Sequence, residues 1–305
     1  MGTIVANENV WKNMREKIEY LLVKMLLFLA KVLPKSFLYV LTKMLSFSFY
    51  FLLKSRRKLT IKNLQNAFPD RSEAEIIKLS KEIYSGLSET LCEILLMFAD
   101  RFDIDAAIIN KDEAIEQLIR LAKSDKGVMV ITAHYSNWEL AAHFLAKHNL
   151  PMLAIGRRGT NALIDKNLTI PFRNRYGNRA VYKDKAMIAM AKALKAKENV
   201  GMLIDQKTGG SHNVRVDFFG HGARTTLSAA ALKLKFDPIV APISIVRQSR
   251  GKYMLYVDAP IEYRADEIAD EKEKLEAITQ RYNQALEKMI GRDISQWFWM
   301  HDRWK

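Results

Sequence analysis

Beyond Arg56 the apolar residues first recur at the spacing of amphipathic helices and then, from Gly127 onward, alternate between short strand-like runs and helical stretches. That alternation predicts an α/β fold with a mixed, mostly parallel sheet flanked by helices. The predicted strands are the run that starts at Val128, then Pro151–Gly156, Arg179–Tyr182, Val200–Asp205, Ile239–Val246 and Tyr253–Asp258. The helices predicted after Gly127 are Leu140–His148, Asn161–Arg175, Lys185–Lys197, Thr225–Phe236 and Asp266–Ile290.

The segment from Tyr20 to Leu53 is rich in Leu, Phe and Met, but lysines interrupt it and Pro34 should break any continuous helix. No uncharged run reaches the roughly 18 residues of a clear membrane-spanning helix. Lysines can reach the surface while the apolar face stays in lipid, and the following basic cluster suits anionic headgroups on the cytoplasmic side. We predict helical membrane-anchor elements over residues 1–55, either interfacial or spanning, and a second domain over 56–305. The alternative is a soluble helical hairpin packed on the core.

The stretch from Val128 to Glu139 is where the pattern points to chemistry. A short β-branched run ends in His134, in the turn before a helix, where open α/β sheets usually carry ligands. Glu139 follows five residues later, a step of roughly 140° on one helix, so the two side chains can meet only if the backbone turns between them. Two structural explanations compete with a catalytic pair. Ser136 and Glu139 fit a capping box, and His134 alone could be a buried structural histidine.

Composition narrows the classes of protein. The chain has 305 residues, a net charge of +14 and one cysteine, Cys92. The charge indicates an anionic partner, which could be nucleic acid, an anionic membrane, a phosphorylated substrate or an acidic protein. A single cysteine excludes an intramolecular disulfide and a cysteine zinc cluster. A Walker phosphate loop, a Gly-x-Gly-x-x-Gly turn, a His-Glu-x-x-His motif and a Gly-x-Ser-x-Gly elbow are all missing from the sequence. The chemistries that depend on these motifs are therefore poorly served, and a serine hydrolase is disfavoured.

Polar residues gather where predicted strands end. Arg157 follows one strand, Asp205 and Gln206 follow another, and Arg173 and Arg175 close the helix between them. A base with an acidic partner and several cations suits removal of a proton from a hydroxyl next to phosphate-bearing material. The alternative for each arginine is a solvated basic face.

The sequence His134-Tyr135-Ser136-Asn137-Trp138-Glu139 resembles the His-x4-Asp/Glu motif of acyltransferases, in the form found in the bacterial lipid A late acyltransferases, the lauroyl and myristoyl transferases. The resemblance covers nearly the whole chain. It also includes Arg56–Lys58 through Asn63-Leu64 and Phe68-Pro69, Asn161 with Asp165, Arg173, Asp205-Gln206, Phe218–Gly220 with Thr225, and the closing Trp299-x-His301-x-Arg303-Trp304. Lys207 departs from the family pattern, since many relatives carry an acidic residue there. No Pro-Glu-Gly-Thr-Arg block is present, which favours the lipid A branch over the glycerol-phosphate acyltransferases.

The resemblance implies acyl transfer from acyl carrier protein, or from acyl-CoA, to a hydroxyl of a lipid A precursor at the cytoplasmic face of the inner membrane. It implies His134 as general base, with Glu139 fixing its tautomer, and no cofactor. Together with the polar residues at the ends of the predicted strands and helix, it indicates substrate contacts by Asn137, Arg157, Asn161, Arg173, Arg175, Asp205 and Gln206. Donor, lipid A precursor and membrane lipids are the expected partners, and nucleic acid is not one. The alternatives are an acyltransferase for another membrane acceptor, such as a lysophospholipid or glycolipid, and a basic non-enzymatic nucleic-acid-binding or scaffold protein.

Overall fold

The computed structural model describes residues 2–156, 158–182 and 186–305. Its helices are α1 (Gly2–Val32), α2 (Lys35–Leu52), α3 (Lys54–Ala67), α4 (Glu73–Phe98), α5 (Ile104–Ala107), α6 (Lys111–Ala122), α7 (Trp138–Lys147), α8 (Ala162–Ile164), α9 (Ile170–Arg173), α10 (Ala186–Lys195), α11 (Ser228–Phe236) and α12 (Glu271–Gly291). Its strands are β1 (Val128–Thr132), β2 (Met152–Gly156), β3 (Arg179–Tyr182), β4 (Asn199–Leu203), β5 (Asn213–Phe218), β6 (His221–Thr226), β7 (Ile239–Ser249) and β8 (Lys252–Val257). The α/β prediction is confirmed.

The central sheet has six strands in the order β3-β2-β4-β1-β7-β8, and only the edge pair β7–β8 is antiparallel. The carboxyl ends of β1, β2 and β4 therefore meet at one edge of the sheet. The register pairs Thr132 with Leu203. His134 and Asp205 each come two residues later, so the register of β1 on β4 brings them side by side.

Both faces of the sheet are covered, as expected for a parallel sheet. Alternate residues of β1 point to opposite faces: Met129 and Ile131 join a core with α10, α11 and α12, whereas Val128 and Val130 join a core with α6 and α7. This alternation places α7, which follows His134 directly, over the face of the sheet that carries Val130.

The amino-terminal helices pack as a layer on α4. Pro34 separates α1 from α2, as predicted, and the buried side of α2, including Leu38 and Tyr39, faces α4. Arg101 donates hydrogen bonds to the carbonyls of Ala30 and Leu33, both at 2.7 Å, and so satisfies acceptors that the end of α1 leaves unpaired. In the part of the chain that the structure describes, no single helix is long and apolar enough to cross a membrane. Among these helices, only α2 and α3 taken together have the required length and apolar composition, and the two are bent by 86° relative to each other.

Two predicted elements differ from the structure. The helix predicted over Asn161–Arg175 is broken into α8, a π-helical turn (Asp165–Thr169) and α9. The segment before α11 contains the β5–β6 hairpin, which was not predicted, and α11 begins at Ser228 rather than Thr225. The start of the helix predicted at Lys185 lies outside the described residues.

Candidate active site

The turn that carries His134 is held by the carboxyl-terminal segment of the chain. Ser136 donates its backbone N–H to the Gln296 carbonyl at 2.8 Å, and Phe298 donates to the His134 carbonyl at 3.0 Å. Ser136 itself has a positive φ of 53°, an uncommon conformation for a residue other than glycine. The chain thus reverses sharply between β1 and α7. The backbone turn that the motif required is present, and a distant segment stabilises it.

Asp205 is the carboxylate that contacts the base. Its Oδ1 lies 2.8 Å from Nδ1 of His134, and its Oδ2 accepts the backbone N–H of His134 at 2.9 Å and the indole N–H of Trp297 at 2.8 Å. Asp205 is fully buried, and burial by itself would raise its pKa. The charge and hydrogen bonds of His134, with the bond from Trp297, outweigh burial and hold the pKa of Asp205 below its ordinary value.

Glu139 instead pairs with Arg173. The Arg173 Nε donates to both carboxylate oxygens, at 3.0 and 3.3 Å, and Nη2 donates to Oε1. Burial by itself would lower the pKa of Arg173, but the charge and hydrogen bonds of Glu139 raise it. The predicted contact between Glu139 and the His134 ring is therefore wrong, because Nδ1 of the ring contacts Asp205 and not Glu139. Glu139 lies in the first turn of α7, and its carboxylate reaches Arg173, the last residue of α9.

The alternative explanation, a capping box of Ser136 and Glu139, does not hold either. The helix begins at Trp138, and its N-cap is Asn137, whose Oδ1 accepts the Leu140 N–H at 3.1 Å. The Asn137 amide donates to Glu93 at 3.0 Å, and Asn137 is 0% exposed. Its predicted role as a substrate contact is replaced by a structural one, because the amide is used inside the protein and is closed off from substrate.

Glu93 forms the centre of a buried network behind Asn137. It accepts hydrogen bonds from the Tyr253 hydroxyl and from the Gly251 backbone at 3.1 Å, and Arg247 lies 3.4 Å away. Glu93 is 0% exposed, so these donors take the place of its hydration. The network ties α4 and the β7–β8 turn to the start of α7. The sequence contained no signal for it beyond the charge of Glu93 inside an apolar helix.

A cavity of about 490 Å³ lies between the sheet and α7 and opens at the carboxyl edge of the strands. Its walls are mostly small or apolar: Val130, Ala141, Ala142, Leu145, Met152, Ala154, Gly201 and Ile243. The side chains of His134, Glu139, Arg173, Gln206 and Lys207 line the same cavity. The structure thus brings together a partly exposed imidazole, an ion pair and an apolar channel.

The remaining predicted substrate contacts lie elsewhere or outside the described residues. Asn161 caps α8 and donates to the Glu16 carbonyl and the Glu19 carboxylate at 2.8 and 2.9 Å, so it fastens α8 to α1. Arg175 donates to the Met97 carbonyl at 2.8 Å and pairs with Asp100. Neither Asn161 nor Arg175 lines the cavity; both make structural contacts here, and their contacts with substrate stay predictions.

Arg157 lies outside the described residues. Gln206 lies at the cavity wall, as a substrate contact requires. Trp297 was missed as a partner of Asp205. The concentration of tryptophan in the last residues was its only signal, because the pairing depends on where the tail folds.

Fold and site together define an α/β protein whose histidine, oriented by a buried carboxylate, faces a mostly apolar cavity. The chain belongs to the bacterial lipid A biosynthesis acyltransferase family, whose family model matches residues 10–305. It is accordingly an acyltransferase.

Among similar proteins, a lipid A biosynthesis acyltransferase of Haemophilus influenzae is 29% identical over 254 residues, covering 82% of this chain and 78% of the relative. The lipid A biosynthesis palmitoleoyltransferase and lauroyltransferase of Escherichia coli are each 26% identical, covering 83% of this chain and 80% of each relative.

Proposed function

We propose that this protein transfers a fatty acyl chain from a thioester donor, acyl carrier protein or acyl-CoA, to a hydroxyl of a lipid A precursor, with His134 as the general base. The observation that carries the proposal is the orientation of the imidazole. Nδ1 is bonded to Asp205, and Nε2 has no protein partner in the described part of the chain while the ring lines the cavity. With Nδ1 carrying its proton toward the carboxylate, Nε2 is the nitrogen free to accept one.

The proposed reaction is a single displacement. His134 Nε2 takes the proton of the acceptor hydroxyl as that oxygen attacks the thioester carbonyl, and a tetrahedral intermediate forms. The carbon–sulfur bond then breaks, and the imidazolium returns the proton to the thiolate, which leaves an ester and a free thiol. Asp205 stabilises the imidazolium between these steps. No covalent acyl-enzyme is needed, because the thioester is already activated.

The Glu139–Arg173 pair has a different role in this proposal. Glu139 occupies Nε and Nη2 of Arg173, and Nη1 makes no hydrogen bond to the residues that the structure describes. The Arg173 side chain is 34% exposed and lines the cavity. A guanidinium held in place on one side and open on the other suits a phosphate of the acceptor or the developing oxyanion. Gln206 and Lys207 lie on the same wall and are further candidates for polar contacts.

We propose that residues 1–55 dock the protein on the cytoplasmic face of the inner membrane and that residues 56–305 form the acyltransferase domain. Exposed apolar side chains run along α1 and α2 at alternating three- and four-residue steps: Trp11, Met14, Ile18, Leu21, Met25, Phe28 and Val32 on α1, then Phe37, Val40 and Met44 on α2. Exposed lysines on both helices flank these stripes, including Lys24, Lys31, Lys35 and Lys43. Apolar residues bordered by cations match an anionic lipid surface.

The transfer reaction is tested with purified protein, a lipid A precursor and either acyl carrier protein or coenzyme A thioesters, with mass spectrometry of the lipid. We expect one added acyl chain, and loss of the activity in His134→Ala. His148→Ala is the matched control, because His148 lies at the far end of α7, bonded to Asp105 at 2.8 Å. Full activity in His134→Ala would overturn the role of the base. Acylation of a lysophospholipid but not of the lipid A precursor would overturn the acceptor.

Membrane docking is tested separately by co-sedimentation with vesicles that contain anionic phospholipid. Phe37→Glu should weaken binding, because it places a charge within the proposed lipid-facing stripe. Ile109→Glu is the control, since Ile109 is 55% exposed against 54% for Phe37 but follows α5 and belongs to neither α1 nor α2. Equal binding by the two variants would contradict the proposed docking surface.

A further inference from the structure

The carboxyl-terminal segment reaches the reacting groups through one side chain, Trp297. Trp297 is 1% exposed, and its indole N–H donates to Asp205 Oδ2, the oxygen that also accepts the backbone N–H of His134. The two donors hold one carboxylate oxygen, so the other oxygen is left to face Nδ1 of His134. The indole is fixed in turn, because its ring packs on Trp299 with centroids 4.6 Å apart and on Phe218 at 5.5 Å.

The backbone around Trp297 is joined to the turn of His134 on both sides. Tyr135 and Trp297 form an antiparallel bridge, flanked by the bonds from Ser136 to Gln296 and from Phe298 to His134. Further along, the His301 ring accepts the Lys207 backbone N–H at 2.9 Å, close to Asp205 in the chain. The tail is therefore attached to the segment that carries the base and to the segment that carries its carboxylate.

We propose that Trp297 is a positioning residue for the base, which sets both the orientation of the Asp205 carboxylate and the share of its negative charge that reaches the His134 ring. This inference rests on the proposed function, since it assigns Trp297 to the same general base. The indole N–H draws charge toward Oδ2, away from the oxygen that faces the imidazole. Without that donor, Oδ1 carries more negative charge and stabilises the imidazolium more strongly. The ring then stays protonated, and inactive as a base, to higher pH.

Among the residues that the structure describes, the Trp297 indole N–H is bonded to Asp205 and to no other charged group. Arg303 is close enough to feel the charge of Asp205, which raises its pKa, but burial outweighs this and lowers the pKa of Arg303 to about 10. Glu139, His143, Arg173 and Lys207 line the cavity on the side of His134. A shift of the titration of His134 in a variant that keeps an aromatic ring at position 297 is thus assigned to the lost N–H bond.

The test compares Trp297→Phe with Trp299→Phe in the full-length protein. Both lose an indole and an N–H bond in the same aromatic cluster, but Trp299 donates to the Ile294 carbonyl at 2.7 Å and not to Asp205. The first readout is the titration midpoint of the His134 ring by NMR, assigned with His134→Gln, which requires no turnover. We expect an upward shift of about one pH unit in Trp297→Phe and no shift in Trp299→Phe.

The second readout is the pH dependence of kcat/KM for acyl transfer, whose acid limb should move upward by the same amount in Trp297→Phe only. An unchanged midpoint in Trp297→Phe, or an equal shift in both variants, would overturn the inference. If Trp297→Phe does not fold, the isosteric replacement Trp297→3-benzothienylalanine removes the N–H alone and carries the same expectation. Because the NMR titration is independent of activity, a wild-type protein without transferase activity would refute the proposed function without deciding the role of Trp297.

Discussion

Asparagine in place of Asp205 distinguishes the two carboxylates that could serve His134. Oδ2 of Asp205 accepts two N–H groups, from the His134 backbone and from the Trp297 indole, whereas Oδ1 faces the ring nitrogen. An asparagine NH₂ cannot replace Oδ2, because it would meet two donors. The amide must therefore turn its NH₂ toward Nδ1. That nitrogen then becomes an acceptor, and the ring proton moves to Nε2, the atom that should remove a proton from the acceptor hydroxyl.

The loss of catalytic rate in Asp205→Asn should be large, because the substitution removes both the correct tautomer of His134 and the charge that stabilises the imidazolium. In Ser-His-Asp hydrolases the same change lowers kcat by about 10⁴-fold. We expect a loss of about 10³ to 10⁴-fold here, which corresponds to about 4–5 kcal/mol of transition-state stabilisation. Glu139→Gln keeps a hydrogen-bonding group beside Arg173 and leaves the ring of His134 untouched. Its loss should be about 10- to 100-fold, the effect of a misplaced positioning group.

The assay is the initial rate of thiol release from the thioester, with the acylated lipid confirmed by mass spectrometry. Thermal unfolding of both variants establishes that each is folded. The two losses in rate decide the assignment. If Asp205→Asn stays within about tenfold of wild type while Glu139→Gln loses about a thousandfold, Glu139 is the working partner of the base and the pairing argued from the structure is refuted.

Three further predictions concern other parts of the fold. Glu93→Gln should lower the free energy of unfolding by about 2–3 kcal/mol, measured by chemical denaturation, because it removes the buried charge that accepts from Tyr253 and Gly251 and leaves Arg247 with Glu89 as its remaining carboxylate; a loss below about 1 kcal/mol would contradict this. Asp237→Asn should cost about 1 kcal/mol at neutral pH, allowing for solvent screening. The pKa of Asp237 is lowered in the folded state, so the stability that Asp237 contributes is present above about pH 4 and is lost as the pH falls through the folded-state pKa. The difference in free energy of unfolding between Asp237→Asn and wild type should therefore close on acidification. A difference that stays constant with pH would refute the assignment. Gly201→Leu should shift donor preference toward shorter thioesters by about tenfold in a competition assay, because a side chain there enters the cavity next to Met152; an unchanged preference would place the acyl chain elsewhere.

The sheet and its helices were predictable because their apolar patterns are strong and local. The runs at Val128 and Ile239 are rich in β-branched residues, and both form interior strands of the sheet. The capping box of Ser72 and Glu75 at the start of α4 is just as local, with the Glu75 carboxylate accepting the Ser72 N–H at 2.9 Å. These features depend on residues within a few positions of one another, so the sequence alone contains the information.

The β5–β6 hairpin was missed because its turn lacks the usual residues. Phe219 and Gly220 form a two-residue loop in which both φ values are positive, at 54° and 74°. Such turns favour Asn-Gly or Asp-Gly, and a bulky aromatic residue with positive φ is uncommon. Phe219 adopts this conformation where its ring contacts Phe68, at 5.8 Å between centroids, and Trp299 at 5.9 Å. Tertiary packing, which no local pattern records, selects the turn.

The partner of His134 was unpredictable for a related reason. The chain order shows that strands alternate with helices but not that β4 lies beside β1, nor that Thr132 pairs with Leu203. A choice between Glu139 and Asp205 requires that register. The five-residue spacing favoured Glu139 because only the nearer carboxylate could be located from the sequence.

The spacing between His134 and Glu139 nevertheless has a physical meaning if each has its own partner. Residue 134 must lie in the turn, where the register of β1 on β4 brings it to Asp205, and residue 139 must lie one position after Trp138, the first residue of α7, to reach Arg173. Insertion of one residue between them would rotate Glu139 by about 100° around the helix and break its ion pair without moving the base. In the proposed reaction, the motif thus fixes the distance between the base that accepts the proton and the cation that meets the phosphate or the developing oxyanion. Glu139, the carboxylate of the motif, orients Arg173. Asp205, which also accepts the indole N–H of Trp297, orients His134.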